Sequence, residues 1–229
     1  MKRFILLLLP LLLASCSAAP AAVVPSPSPA PPPTPLFSVA LDFGHGGFDG
    51  GAVGVDTGVI EATLNLAIGN MVKTLLEDSN IEVVLTRPDE NAIGDTKNED
   101  MHRRSEILSS ESLDLVVSIH MNKFSDRSVR GPMVYYQAGS EAGQLLAQTL
   151  MDSLTAATDR NSRLASPGDN LVTRVPSAPA ALVECGFLSH PEEELLLQDS
   201  DYQALLARAI ADGILSYLGI LAGQNGQTP

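Results

Sequence analysis

Three side chains that could bind a metal ion or transfer a proton stand at the ends of predicted strands. His45 follows the apolar run FSVALDF, His120 ends the run DLVVSIH, and Glu184 ends the run AALVE. In α/β sheets, ligands bind beyond the carboxyl ends of the strands. A fourth candidate, Glu61, opens the helix that follows the glycine-rich loop around His45. These residues are therefore expected to form one site.

A catalytic zinc ion typically has three protein ligands and one open position for water. His45, His120 and Glu61 would supply two imidazoles and one carboxylate, leaving a net charge of about +1 that suits lowering the pKa of a bound water. Each residue also has an ordinary interpretation. Glu61 could simply favour the helix N-terminus electrostatically, and His120 could bond a carbonyl group. Only the combination indicates a metal site.

Glu184 and Cys185 are adjacent at the end of the last predicted strand. A carboxylate after small and apolar residues is either a buried ion-pair partner or a general base, which beside a metal would take a proton from water and return it to the leaving group. Cys185 is predicted to be a small packing residue. The alternative, a cysteine nucleophile paired with His120, requires an activating arrangement that the sequence does not show.

The glycine-rich stretch GHGGFDGG does not fit a phosphate-binding loop. A P-loop needs a Lys-Ser/Thr pair that opens a helix, and a dinucleotide loop needs G-x-G-x-x-G running directly into one. Neither pattern is present after Gly44. The glycines instead allow the backbone to approach a metal and a substrate closely.

The elements that must position these residues alternate between strand and helix. Apolar residues at helical spacing predict helices at 60–77, 100–110, 141–157 and 201–218. Strands are predicted at 37–43, 81–87, 114–120, 131–137 and 180–184. The alternation predicts an α/β fold: a single domain over 37–222, with a mostly parallel twisted sheet flanked by helices on both faces.

The first 36 residues have a different composition from the rest. Residues 1–15 read as a signal peptide, with an apolar run too short to span a bilayer permanently. The sequence LASC ending at Cys16 resembles a bacterial lipobox, in which the cysteine becomes lipid-modified; the alternative is ordinary cleavage near Ala19. Residues 16–36 hold eight of the 16 prolines and predict a tether of up to about 60 Å. Residues 223–229 are predicted to be a flexible tail.

Charge and cysteine content limit the ligands that the protein can bind and the disulfides that it can form. Without Lys2 and Arg3, 12 basic residues remain against 27 acidic ones, a net charge near −15 with neutral histidines. Such a surface repels nucleic acid and anionic lipid headgroups. If Cys16 carries a lipid, Cys185 has no partner for an intrachain disulfide.

Four blocks of the sequence resemble the zinc-dependent N-acetylmuramoyl-L-alanine amidases of the Amidase_3 type: LDFGHGGFDGGAVG, GVIEATLNLAIGNMVKTLLE, VVSIHMN and PSAPAALVECGFLSHPEEELLL. The resemblance implies a zinc ion (Zn2+) held by His45, Glu61 and His120, with Glu184 as the catalytic carboxylate. It implies hydrolysis of the amide between N-acetylmuramic acid and L-alanine in peptidoglycan. Zinc would polarise the carbonyl, supply hydroxide and hold the oxyanion.

The resemblance also extends to residues around the expected site. Arg104, in DMHRR, resembles a family arginine that faces the cleft, and Asn122 matches a family position near the metal, so both are expected to contact the substrate or support the ligands. His190 replaces a frequent asparagine and is expected not to be a ligand. Some family members carry an inserted helix that plugs the site until an activator displaces it. The segment after His120 leaves no room for one, which predicts activity without such displacement.

Two other functions stay open at this point. The chain could be a non-catalytic peptidoglycan-binding lipoprotein that keeps the fold, or a zinc peptidase that cuts within the stem peptide. All three interpretations place the protein outside the cytoplasm, held to a membrane by a lipid on Cys16 and facing the cell wall, in the periplasm or on the outer face of the cell membrane.

Overall fold

A computed structural model describes residues 35–159 and 163–224 of the chain. The predicted signal peptide, the expected lipidation site Cys16 and most of the predicted tether lie outside these residues. Residues 225–229 of the predicted tail do so as well.

A six-stranded sheet forms the centre of the domain. Its strands are β1 (Ser38–Phe43), β2 (Glu82–Leu85), β3 (Leu115–Asn122), β4 (Met133–Gln137), β5 (Ser166–Gly168) and β6 (Ala180–Phe187). In space they follow the order β2-β1-β3-β6-β4-β5. Strand β1 is parallel to β2 and to β3, and β3 is parallel to β6. Strand β4 is antiparallel to β6, and β5 is parallel to β4. The predicted mostly parallel sheet is confirmed.

Helices cover both faces of the sheet, as predicted. They are α1 (Glu61–Asp78), α2 (Lys97–Leu108), α3 (Glu141–Thr158), α4 (Leu171–Arg174), α5 (Pro191–Leu196) and α6 (Ser200–Gln224). Helices α1, α3 and α6 pack together on one face and form the larger core cluster with it. Helices α2 and α4 lie on the other face, over a smaller cluster.

Strand alternation decides which face each side chain reaches, because successive side chains of a strand point to opposite faces. Val39, Leu41 and Phe43 of β1 are fully buried in the larger cluster. Asp42 faces the other way, where it bonds Arg104 of α2. On β3 and β6, His120 and Glu184 are paired in register and share that second face. His45 follows β1, and His120 and Glu184 lie in the carboxyl-terminal halves of β3 and β6, two and three residues before these strands end.

Several elements differ in extent from the prediction. Helix α2 begins at Lys97, before the predicted start, because the Thr96 side chain accepts a hydrogen bond from the Glu99 backbone and caps the helix. Strand β3 continues to Asn122 through an irregularity in its pairing with β6. The short elements β5, α4 and α5 were not predicted, since three to six residues give too little periodicity to identify.

Helix α6 is the longest helix of the described residues and is largely apolar. Over Ser200–Gly223 it is long and apolar enough to cross a membrane by length and composition alone, with a mean hydropathy of 1.6. Half of that stretch is buried inside the domain, where α6 packs against α1 and α3. Its apolar character is accounted for by this packing.

Candidate metal centre

Three potential metal ligands converge at the carboxyl edge of the sheet. His45 follows β1, Glu61 is the first residue of α1, and His120 lies near the end of β3. Their ligand atoms all lie within 4.8 Å of one another. The Glu61 carboxylate stands between the rings, with Oε1 2.9 Å from His120 Nδ1 and Oε2 3.3 Å from His45 Nε2. The structure thus brings together the three residues expected to bind zinc.

The backbone around His45 is shaped to place its ring against the other two ligands. His45 has a φ of 64°, in the left-handed region that non-glycine residues seldom adopt. A Cβ at Gly44 would lie 2.1 Å from the His120 ring, and one at Gly51 would lie 2.5 Å from Glu61 Oε2. Glycine is therefore required at both positions by the close approach of the ligands.

Glu61 is held as a carboxylate by its surroundings. It is 3% exposed, and its oxygens accept hydrogen bonds from the backbone amides of Ala52 (2.7 Å) and Met121 (3.2 Å). Burial alone would raise the pKa of Glu61, but its contacts with His120 and His45 hold that pKa well below the ordinary value. Glu61 therefore carries a negative charge at neutral pH.

The arrangement fits a cation between the three side chains. Each imidazole turns a ring nitrogen toward a carboxylate oxygen, and neutral imidazole nitrogens and carboxylates are the ligand types that zinc takes. Burial lowers the pKa of His45, yet its contacts with Glu61 and Asp49 outweigh burial and raise that pKa. A site that favours positive charge on this half-buried ring also favours a metal ion in the place of the proton.

Two buried arginines hold the segment that carries His45. Arg104 is 2% exposed, and its guanidinium donates to the carbonyl oxygens of His45 (2.6 Å) and Phe43 (3.1 Å). The same group bonds the carboxylates of Asp42 (2.6 Å) and Asp100 (2.7 Å). Burial would lower the pKa of Arg104, but the two carboxylates raise it. Its contacts make Arg104 a support for the ligand loop.

Arg87, which was not among the expected site residues, holds the same segment from the end of β2. It is fully buried and donates to the carbonyl oxygens of Phe43 (2.7 Å), Gly44 (3.2 Å), Ala62 (2.9 Å) and Asp89 (2.6 Å). Burial, followed by the nearby charge of Arg104, lowers its pKa. The sequence did carry a signal, since an arginine that ends a predicted strand and precedes a proline is placed at the same sheet edge.

Glu184 lies beside the three potential metal ligands. Among the described residues, it forms no hydrogen bond with any of them. Its register partner on β3 is His120, and its Oε2 atom is buried with no hydrogen-bond partner among the described residues. Burial raises the pKa of Glu184 to about 7, with the charges of His120 and Glu61 acting in opposite directions. A carboxylate with this pKa can accept and release a proton near neutral pH.

The other histidines, Asn122 and Cys185 are accounted for by contacts outside the three-residue cluster. The Asn122 side chain bonds the Lys123 backbone amide at 2.8 Å, close to Met133 rather than to the ligands. His102 is exposed and pairs with Glu106 on α2, and His190 caps α5. Cys185 is fully buried, and burial raises the pKa of its thiol, which fits packing rather than nucleophilic attack.

A cleft opens next to the ligands on the sheet face that carries α2 and α4. The cavity measures about 190 Å³, and His45 and His120 are among the residues that line it. Apolar side chains of Met101, Leu171 and Leu182 form part of its wall. A substrate group in this cleft would lie beside the ligands and at the same sheet edge as Glu184.

Comparison with known proteins identifies similar sequences and folds. The family described as N-acetylmuramoyl-L-alanine amidase matches residues 39–216. The germination-specific N-acetylmuramoyl-L-alanine amidase of Bacillus subtilis (strain 168) is 31% identical over 189 residues, which cover 78% of each chain.

Two solved structures extend the likeness to the fold. The CwlD amidase of Clostridioides difficile, solved in complex with the GerS lipoprotein, has a TM-score of 0.77 and 33% identity, covering 80% of this chain and 99% of that one. The catalytic domain of CwlV, an N-acetylmuramoyl-L-alanine amidase from Bacillus (Paenibacillus) polymyxa var. colistinus, has a TM-score of 0.73 and 34% identity, covering 81% and 99%.

Proposed function

The chain belongs to the N-acetylmuramoyl-L-alanine amidase family, and from that premise we propose that it hydrolyses the amide between N-acetylmuramic acid and L-alanine in peptidoglycan. The observation that carries the proposal is the convergence of His45, Glu61 and His120 within 4.8 Å, with Glu184 alongside on β6. This is the composition of a hydrolytic zinc centre with an adjacent acid–base residue.

His45, Glu61 and His120 would hold the zinc ion, and the buried arginines keep the His45 segment in place. When bound, zinc supplies Lewis acidity, which polarises an amide carbonyl and lowers the pKa of water. The ligand set of two imidazoles and one carboxylate suits this ion. Glu61 contributes the negative charge that makes the site attractive to a cation.

Glu184 would act as the proton carrier of the reaction. Its buried Oε2, which has no hydrogen-bond partner in the described part of the chain, could accept the proton of the attacking water. The same carboxyl would then donate that proton to the nitrogen of the leaving L-alanyl peptide, so that the C–N bond breaks to an amine and a carboxylic acid. The raised pKa of Glu184 suits both halves of this transfer.

The cellular placement rests on residues that the structure does not describe. We propose a lipoprotein anchored through Cys16, with the proline-rich tether carrying the domain toward the wall from the outer side of a membrane. The composition of residues 1–36 supports this placement.

Purified protein incubated with sacculi tests the function directly. Zinc content is measured alongside the masses of released products, and free stem peptides with L-alanine amino termini are expected. Stripping the metal with EDTA, or the change His45→Ala, should abolish release. Peptides cut within the stem would indicate a peptidase instead, and binding to sacculi without soluble products would indicate a non-catalytic protein. A His45→Ala variant with full zinc content and activity would refute the ligand assignment.

The same assay tests the prediction that no internal plug must be displaced. The protein alone should digest sacculi, and the rate should not depend on an added partner. A protein that stays inert until another protein is supplied would contradict this prediction.

A further inference from the structure

The carboxylate of Asp49 lies on the side of the His45 ring that faces away from Glu61. Its Oδ1 atom is 3.1 Å from His45 Nδ1 and also accepts a hydrogen bond from the backbone amide of Gly51 at 3.2 Å. Its Oδ2 atom is 3.2 Å from Lys97 Nζ. Asp49 thus joins a proposed metal ligand to the start of helix α2.

The chemistry of these contacts decides which nitrogen of His45 carries the ring proton. A neutral imidazole has one N–H donor and one acceptor nitrogen, and an ionised carboxylate can only accept. Because Asp49 Oδ1 faces Nδ1, the proton belongs on Nδ1. Nε2 then presents its lone pair toward Glu61 Oε2, 3.3 Å away, where the cation is expected.

We propose that Asp49 is the positioning residue of His45, fixing the ring tautomer and orientation in which Nε2 faces the metal. The inference rests on the zinc site of the proposed function. Carboxylates that accept the second N–H of a ligating histidine are a common support of metal sites.

A tight turn brings the carboxylate back onto the ring. Gly46 and Asp49 pair through two backbone hydrogen bonds, of 2.8 and 3.0 Å. Gly46 and Gly47 have φ values of 136° and 55°, which favour glycine. The glycines after His45 therefore build the turn that delivers Asp49 to Nδ1.

Both histidine rings pack closely against a glycine, and for His45 this is Gly51, where a Cβ would lie 2.6 Å from Cδ2 of the ring. The His120 ring packs so closely against Gly44 that a Cβ there would lie 2.1 to 2.6 Å from three ring atoms. For His45, which follows a strand in a loop and is 22% exposed, the orienting contact opposite Glu61 is the one with Asp49. Loss of Asp49 should therefore release the His45 ring and leave the His120 ring in place.

Lys97 is a secondary part of this arrangement. Its side chain is 70% exposed, and exposed ion pairs contribute little. The change Lys97→Met keeps the bond between Asp49 and His45 and should weaken zinc binding less than threefold.

Zinc affinity measured by competition with a chromophoric chelator tests the proposal in the full chain. We expect Asp49→Ala to weaken binding about 10- to 100-fold, and Asp49→Asn to weaken it much less, because the amide oxygen still accepts from Nδ1. The matched control is Asp56→Ala, an acidic residue of the following loop that pairs with Arg127, which should bind zinc within twofold of the unchanged protein.

A second measurement reports which nitrogen of the His45 ring is protonated, and so distinguishes a loss of ring positioning from a general loss of structure. Long-range 1H–15N spectra of the zinc-loaded, 15N-histidine-labelled protein should show His45 protonated at Nδ1 in the unchanged protein and in Asp49→Asn. In Asp49→Ala a mixture of ring forms is expected. If the alanine variant does not fold, the asparagine spectrum decides, and a ring protonated at Nε2 in it overturns the proposal.

Two further results would overturn it: zinc affinity in Asp49→Ala within twofold of the unchanged protein, or an equal loss in the alanine and asparagine variants. Neither measurement uses a substrate. If product analysis failed to find free L-alanine amino termini, the amidase proposal would fail while the result for Asp49 would stand.

Discussion

The charged form of the Glu184 carboxylate is destabilised by its surroundings. Burial raises its pKa from 4.5 to about 7. In the general-base role proposed for it, Glu184 would lower the stability of the domain, because its charged form is buried without a hydrogen bond to Oε2 from the described residues. Replacing Glu184 with a neutral residue should therefore lower the activity and raise the stability of the domain.

Glu184→Gln should lower the hydrolysis rate about 10²- to 10⁴-fold and stabilise the metal-free protein above pH 7. Between pH 4.5 and about 7 the unfolded chain loses this proton before the folded chain does. The unchanged protein therefore loses stability as pH rises through that window, by at most about 3 kcal/mol. Urea unfolding at pH 4 and pH 8 measures the effect, and a variant no more stable at pH 8 would contradict it.

At the scale of elements, the sheet and helix α2 are joined through buried charge. Arg104 of α2 reaches across to Asp42 of β1, and both side chains are at most 2% exposed. Burial would raise the pKa of Asp42, but Arg104 and hydroxyl bonds from Ser118 and Thr86 lower it. Removing the cation leaves a buried carboxylate without its charge partner.

Arg104→Met should lower the free energy of unfolding by about 3–5 kcal/mol, as expected when one partner of a buried pair is lost. The neighbouring Arg103→Met is the control, because Arg103 is 52% exposed and pairs with Glu99 within the same helix. That change should cost less than about 1 kcal/mol. Urea unfolding of both metal-free variants provides the comparison, and equal losses would refute the role given to Arg104.

Helix α1 packs on β1 at a glycine. A Cβ at Gly69 would lie 2.3 Å from the ring of Phe43, so Gly69→Ala should destabilise the domain by about 1–3 kcal/mol despite the better helix propensity of alanine. A Cβ at Gly219 of α6 would meet no atom of the described residues within 4 Å. Gly219→Ala should be neutral or stabilise by up to about 1 kcal/mol. Thermal unfolding of the pair tests this, and a stabilising Gly69→Ala would contradict the packing.

Over the whole molecule, catalysis and membrane attachment are proposed to lie in different parts of the chain: the domain hydrolyses the substrate, and the N-terminal segment holds it at a membrane. The full chain should label with palmitate and sediment with membranes, whereas Cys16→Ala should lose both properties. Hydrolysis of purified sacculi should be unchanged in that variant, because the domain carries all the residues proposed to bind zinc. Membrane association of Cys16→Ala equal to that of the unchanged chain would refute the anchor.

Much of the architecture could be predicted because it depends on local pattern. Helical spacing identified α1 and α3 almost to the residue, since their apolar faces are long and regular. The short elements β5, α4 and α5 escaped prediction, and the start of α2 was misplaced because a capping hydrogen bond, rather than apolar spacing, sets it.

The sequence by itself determined that the sheet is mostly parallel. It also determined that His45, His120 and Glu184 meet at one edge, because parallel strands bring their carboxyl ends to the same edge of a sheet. Only the tertiary structure decided what surrounds them. The bonds from Arg87 and Arg104 to the carbonyl groups near His45 join residues far apart in the chain, and such contacts leave no periodic signal. The role of Asp49 likewise depends on a turn whose backbone angles become evident only when the ring and the carboxylate meet.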